Sequence, residues 1–380
     1  MFSNTFIPDM RFGSGRFAEI GAAAAAFGDV DRALVVMDGF LAASGLANRL
    51  LDDLRAHGII ASLYADFAGE PQLPHLQAAM RAARGAQMVI GVGGGSALDI
   101  AKISACCAAS GKDPMFYALS ANPLPANPLR KILVPTTAGT GAEASATSIF
   151  TGPEGKKLWI WGPGTKADLV ILDPALTVSL PPHLTAWCGM DAFIHAFEAA
   201  TNRNTHPGAQ LHAHEAMRLV AGSLETAVKS PANLEARGKV LLGAYYAGIA
   251  TDNCGTAIAH NISHALAGLG TVHHGLATAL AFELTLPWLV RARTAELDAA
   301  ASAIGLRSAD ALPAFLSDLM DRCDIQRALP AAFDRHSAED LSSEMRATEN
   351  RPMRRATVRD LSDDDIDRFA GLIMALPRSP

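Results

Sequence analysis

Along the first 180 residues, apolar positions come in short unbroken runs, separated by longer stretches with helical spacing. Residues 33–37, Ala-Leu-Val-Val-Met, form one such run between Asp31 and Asp38-Gly39. A short apolar run flanked by turn residues predicts a strand buried on both faces. Residues 59–64 and 87–92 repeat the pattern, and 131–134, 148–151, 157–161 and 168–172 give further short strands. Between them, residues 18–27, 43–57, 74–84 and 97–109 read as helices. Strands alternating with helices predict parallel βαβ units. The Pro- and Asn-rich residues 120–128 predict a loop.

The pattern changes after Leu180-Pro181-Pro182. Residues 185–201, 206–229, 233–254, 256–267 and 274–290 all have helical length and period, and more pieces follow Arg293. The expected fold class is an α/β N-terminal dinucleotide-binding domain, residues 1–180, followed by an all-helical C-terminal domain, residues 181–380.

Composition narrows the classes of function. A chain of 380 residues suits two domains, and 49% hydrophobic residues can fill two cores. The net charge of −6, with no basic run, argues against nucleic acid as a partner. Five cysteines, an odd count without a CxxC pair, suit a reduced cytoplasmic protein. Asp9, Arg11 and Arg16 interrupt the place of a signal-peptide core. The most apolar stretch, 274–290, contains Glu283 and Pro287 and is short for a membrane span. The expectation is a soluble protein with neither nucleic acid nor membrane as partner.

Candidate chemistry begins at Gly91-Val92-Gly93-Gly94-Gly95-Ser96, between a predicted strand and a predicted helix. Successive glycines let backbone approach a ligand, and the helix start offers free N–H groups, which suits a pyrophosphate. Ser96 stands where the usual fingerprint has its last glycine, and the usual downstream acid is missing. Asp38, ending the first strand, could instead receive the adenosine ribose; its charge would repel a 2′-phosphate and favour NAD over NADP. The same glycines could also be a turn with a capping serine. Thr136, Thr137 and Thr140 follow the next strand and can offer hydroxyls to a nucleotide, although such loops also occur without ligands. Asp99 and Lys102, one turn apart, could touch a ligand or form a solvated pair.

Asp191 and His195, four apart, share a helix face and suit either a surface hydrogen bond or half of a metal site. Residues 259–275 hold four of the 12 histidines: His260, His264, His273 and His274. Gly268 and Gly270 break this stretch, so a helix–turn–helix can bring His260 and His274 opposite Asp191 and His195. One carboxylate and three imidazoles suit Fe(II) or Zn(II). Four protein ligands exceed the usual three of catalytic zinc, which leans toward iron.

Taken together, these motifs are similar to those of the iron-containing (group III) alcohol dehydrogenase family over nearly the full length. They are Asp38; Gly93-Gly94-Gly95-Ser96 with Asp99 and Lys102; Pro135-Thr136-Thr137-Ala138-Gly139-Thr140-Gly141 with Glu143; Asp173-Pro174; Leu180-Pro181-Pro182; Gly189-Met190-Asp191 with His195 and Glu198; and His260, His264 and His274-Gly275. The resemblance implies a dehydroquinate synthase-like architecture with a catalytic metal in an interdomain cleft. It implies Asp191, His195, His260 and His274 as ligands, and Thr177 and Leu180 as additional cofactor contacts. It suggests a homodimer. The chain departs from the family pattern at Gln72 (commonly Asn), Ala142 (Ser), Trp187-Cys188 (Ala-Thr) and His273 (Pro).

The implied reaction is NAD(P)-dependent interconversion of an alcohol and an aldehyde. The alcohol is acidified at the metal, a hydride passes to nicotinamide, and His264 is the candidate proton relay. His264 could equally orient a metal ligand. Alternatives on the same fold are a glycerol- or polyol-type zinc dehydrogenase, a maleylacetate reductase-like enzyme without metal, and a dehydroquinate synthase-like lyase. Asn350, Arg351, Arg354 and Arg355 could close over the cleft or form a solvated basic turn.

Overall fold

The computed structural model describes residues 2–379. Its strands are β1 (Asp9–Phe12), β2 (Arg32–Met37), β3 (Ile60–Tyr64), β4 (Met88–Gly93), β5 (Arg130–Pro135), β6 (Thr147–Thr151), β7 (Lys157–Trp161) and β8 (Leu169–Leu172). Two further two-residue strands, Leu329–Pro330 and Arg378–Ser379, pair with each other. Six strands form one sheet in the order β1-β8-β5-β4-β2-β3, every neighbouring pair parallel. β4 and β8 are buried along their whole length. That is why their residues are apolar without alternation, as a sheet covered on both faces requires.

The strand order reverses between β2 and β4: β3 lies outside β2 on one side, and β4, β5 and β8 follow on the other. In open parallel sheets, ligands bind beyond the carboxyl ends of the strands at such a reversal. Asp38 follows β2, and Gly94-Gly95-Ser96 follows β4. The two elements singled out from the sequence therefore flank the same switch point.

By contacts, the chain separates into two compact units. One holds Thr5–Thr137 and Ala142–Val178; the other holds the chain from Ser179 onward together with Ala138–Gly141 and residues 2–4. The second unit is helical. Its long helices are Pro182–Thr201, Pro207–Ala221, Leu234–Cys254, Ile258–Leu269 and His274–Leu289. Met190, Phe193, Phe197, Leu224, Leu280 and Phe282 are among the residues of its core. No helix among the described residues is long and apolar enough to cross a membrane.

Some elements differ from expectation. β1 was not anticipated; with Asp9 and Arg11 in four residues it lacks an apolar run, which a strand at the sheet edge does not need. β6 and β7 do not join the main sheet but pair with each other as an antiparallel hairpin. The single helix expected over 206–229 ends at Ala221 and restarts at Leu224, because Gly222-Ser223 interrupts it.

Candidate active site

The glycine and threonine loops lie side by side. Thr136 N–H donates to the Gly93 carbonyl at 2.9 Å. A Cβ on Gly94 would sit 3.4 Å from Thr137 Oγ1. Gly93 has φ +152°, and a Cβ there would meet the Ala97 methyl at 2.7 Å, so both conformation and space call for glycine. Gly94 caps the helix Gly95–Ser110 without a side chain to satisfy its first N–H groups. Ser96 lies in the first turn of that helix. The result is an unblocked helix start at a sheet switch point, which can take a phosphate.

Asp38 uses one carboxylate oxygen on its own helix, accepting from Leu41 N–H at 2.9 Å. The other oxygen points toward the glycine loop, 3.6 Å from where a Cβ of Gly93 would be. Thr140 is exposed, while Thr136 is buried. Thr177 is buried and its hydroxyl donates to the Pro174 carbonyl at 2.8 Å, closing a local turn. Leu180 accepts from the Thr185 hydroxyl through its carbonyl at 3.4 Å. Among the described residues, no hydrogen bond joins Thr177 to the glycine loop.

Asp99 and Lys102 are not a solvated pair. Lys102 is fully buried, and its ammonium donates to the carbonyls of Ala142 and Thr147. Asp99 accepts from Ile149 N–H at 2.9 Å, which ties the β6–β7 hairpin to the helix. Burial pushes the Asp99 carboxyl up to about 6, against the pull of Lys102. Glu143 is buried nearby and is pushed up by burial to about 7.

In the helical unit, the ligand atoms of Asp191, His195, His260 and His274 all lie within 4.8 Å of one another. The pair at i,i+4 is thus buried rather than on the surface. His260 Nε2 is 3.5 Å and His274 Nε2 3.6 Å from the same Asp191 oxygen, Oδ1. Asp191 Oδ1, His195 Nδ1 and His260 Nε2 are buried without a hydrogen-bond partner among the described residues. Orphaned buried polar atoms cost on the order of 1–3 kcal/mol each. Here they converge on one point, which a divalent cation fits by both position and donor chemistry.

The surrounding residues prepare these donors. His260 Nδ1 is 2.7 Å from Glu198 Oε2, so Nδ1–H donates to that carboxylate and Nε2 faces the quartet, where a bound cation would replace any proton it carries. The same carboxylate accepts from Ala257 N–H at 2.6 Å and Ala259 N–H at 2.7 Å, satisfying the start of the helix Ile258–Leu269. Ser263 Oγ donates to the His274 carbonyl at 3.3 Å and lies 3.0 Å from His274 Nδ1. With its proton committed, Ser263 accepts from Nδ1–H, and Nε2 of His274 faces Asp191 Oδ1 at 3.6 Å. Spacing alone assigns no role to Glu198 or Ser263, although Glu198 stands one turn past His195.

Burial pulls His195 down to about 3, against the attraction of Asp191. Burial also pulls His260 down, but Glu198 and Asp191 outweigh it and hold it at about 9. Burial would raise Asp191; His195, His274 and His260 hold it well below the usual carboxylate range.

His264 lies beside the quartet, its ring 5.7 Å from that of His274. His273 is not a fifth ligand in this arrangement; its Nδ1 accepts from Gly275 N–H at 3.2 Å and caps the helix His274–Leu289. The arginine stretch is largely structural. Arg354 donates to the Met345 and Ala347 carbonyls, and Arg359 donates to the Trp288 carbonyl at 2.7 Å. Arg351 and Arg355 are exposed.

Residues 8–174 match the family model for iron-containing alcohol dehydrogenase, and residues 185–361 match the C-terminal model of the Fe-containing alcohol dehydrogenase family. The chain belongs to the iron-containing alcohol dehydrogenase family. It is an NAD(P)-linked alcohol/aldehyde oxidoreductase. It is 34% identical to long-chain-alcohol dehydrogenase 1 of Geobacillus thermodenitrificans over 290 residues, 75% of this chain and 72% of that one. It is 35% identical to the sulfoacetaldehyde reductase of Bilophila wadsworthia over 249 residues, 65% of this chain and 64% of that one. The fold matches the sulfoacetaldehyde reductase of Bifidobacterium kashiwanohense, solved in complex with NAD+, with a TM-score of 0.90 and 29% identity over 99% of both chains.

Proposed function

We propose that the chain oxidises alcohols, and reduces the matching aldehydes, with NAD and a divalent metal held by Asp191, His195, His260 and His274. The observation that carries this reading is the carboxylate–imidazole quartet, in which Asp191 Oδ1, His195 Nδ1 and His260 Nε2 are buried with no hydrogen-bond partner among the described residues. When bound, the metal supplies Lewis-acid polarisation of the alcohol oxygen and NAD accepts the hydride. Glu198 and Ser263 hold His260 and His274 in the tautomer that presents Nε2. The free N–H groups after Gly94 hold the cofactor pyrophosphate, with Thr136, Thr137 and Thr140 beside it. Asp38 takes the ribose hydroxyls, which favours NAD over NADP. His264 moves the alcohol proton toward solvent from its place beside His274.

The ligand count leans toward Fe(II) over Zn(II). The quartet also speaks against the metal-free, maleylacetate reductase-like reading. Relatives named for long-chain alcohols and for sulfoacetaldehyde support alcohols and aldehydes as the substrate class. Five free cysteines suit the cytoplasm, and a homodimer is the expected assembly. The test is the appearance of NADH with a panel of primary alcohols and polyols, before and after chelation and after adding back Fe(II) or Zn(II). Turnover with alcohols that chelation abolishes is the expected result. Turnover that survives full metal removal would overturn the metal assignment.

A further inference from the structure

One face of the helix Pro182–Thr201 carries His183, Trp187, Asp191 and His195, each four residues from the next. The outer two residues of this row are open to solvent and the inner two are buried. His183 is exposed and Trp187 part-buried, while Asp191 is 2% and His195 8% exposed. The row therefore runs from solvent to the quartet, and its outer half is aromatic. The His183 and Trp187 rings are 4.9 Å apart at 69°. From the facing helix, His273 meets Trp187 at 5.0 Å and 42°. Trp187 and His273 touch each other across the two helices.

This aromatic pair sits on the outward side of the ligands. His274 is the most exposed of the four, its side chain 24% open against 3% for Asp191 and 2% for His260. His273 directly precedes His274 and is pinned by its bond from Gly275 N–H. Gly275 has no side chain, so the Trp187 carbonyl approaches it closely; a Cβ there would also lie 3.4 Å from Asp191 Cβ. Trp187 and the quartet are thus held in fixed relation. Trp187 precedes Asp191 by four residues on this helix, about 6 Å of axial rise.

We propose that Trp187 and His273 form a specificity wall for the quartet, selecting arylmethanols and aryl aldehydes over saturated alcohols of the same size. This rests on the reading of the quartet as the alcohol site. The selection is for the π-system as well as bulk. The rings meet at inclined angles, and a substrate ring can join them edge-to-face, an arrangement that adds to simple burial. The row carries no Lys, Arg or Glu between His183 and Asp191, so the wall discriminates by stacking rather than by ion pairing.

The test compares benzyl alcohol with cyclohexylmethanol, close in size but differing in the π-system. Binding of each to the iron- or zinc-loaded chain without NAD is measured by calorimetry, and kcat/KM is measured with NAD. Benzyl alcohol is expected to lead by roughly threefold to tenfold in both. Trp187→Ala is expected to bring both ratios to about one while metal content stays unchanged, and Trp187→Phe to recover most of the preference. His273→Ala should lower the ratio partially, and serves if Trp187→Ala does not fold. A ratio of one in the parent chain, or an unchanged ratio in a folded, metal-loaded Trp187→Ala, overturns the wall. Failure to take up metal, or to reduce NAD with any alcohol, overturns the alcohol-site reading instead, and is read from separate measurements.

Discussion

Glu198 holds His260 by a 2.7 Å contact to Nδ1 and, with the same carboxylate, holds the start of the helix that carries His260. Ligand orientation and helix capping are thus one interaction. Glu198→Gln can keep part of the geometry but loses the charge that favours Nδ1–H. Metal affinity, measured by competition with a chelator, should fall about 10- to 100-fold. Glu198→Ala should add a drop in melting temperature, because two buried N–H groups lose their acceptor.

Metal itself should stabilise the chain. A cation that binds only the folded state raises stability by RT ln(1 + [L]/Kd), about 4 kcal/mol at a thousandfold excess over Kd. Chelation should therefore lower the melting temperature of the parent chain. Asp191→Asn and His195→Ala should remove most of that difference, as calorimetry with and without added metal would show.

His264→Asn should slow alcohol oxidation while metal content, measured by elemental analysis, stays intact. Loss of metal in this variant would make His264 a ligand-supporting residue and remove it from proton transfer.

Asp38→Asn keeps an oxygen to accept from Leu41 N–H but loses the charge beside Gly93. The preference for NAD over NADP in kcat/KM should narrow by about tenfold, the equivalent of 1.4 kcal/mol. Asp38→Ala should show the same narrowing plus about 1 kcal/mol of lost stability from the missing cap.

Glu143 gives a stability signature with a definite sign. Burial raises its carboxyl from 4.5 to about 7, so between these values the folded chain holds a proton that the unfolded chain has lost. Stability then falls as pH rises through that window. Glu143→Gln should flatten the fall, as denaturant titrations from pH 4.5 to 7 would reveal. A slope unchanged by the substitution would mean that Glu143 titrates normally.

Much of this molecule was legible from residue order because the signals were local. Apolar runs marked β2, β4 and β5, and helical spacing marked Gly95–Ser110 and Pro182–Thr201. Asp191 and His195 were found at a spacing that any helix turns into a shared face. Local rules could not show that Lys102 is fully buried on two carbonyls, because those carbonyls lie 40 and 45 residues away. Nor could they give β1 its place, since an edge strand of four mixed residues is defined by its partner β8.

The sequence by itself determined the alternation of strands and helices, the glycine turn and the supply of donors, since each depends on a few neighbouring side chains. Tertiary structure decided which donors meet. It set His260 and His274 against one oxygen of Asp191, gave Glu198 and Ser263 their work, and set His273 at an incline against Trp187 instead of adding it to the quartet. The physical reason is that these contacts join residues 11 to 86 positions apart. Only the packing of whole helices, buried along their apolar faces, brings such positions within bonding distance.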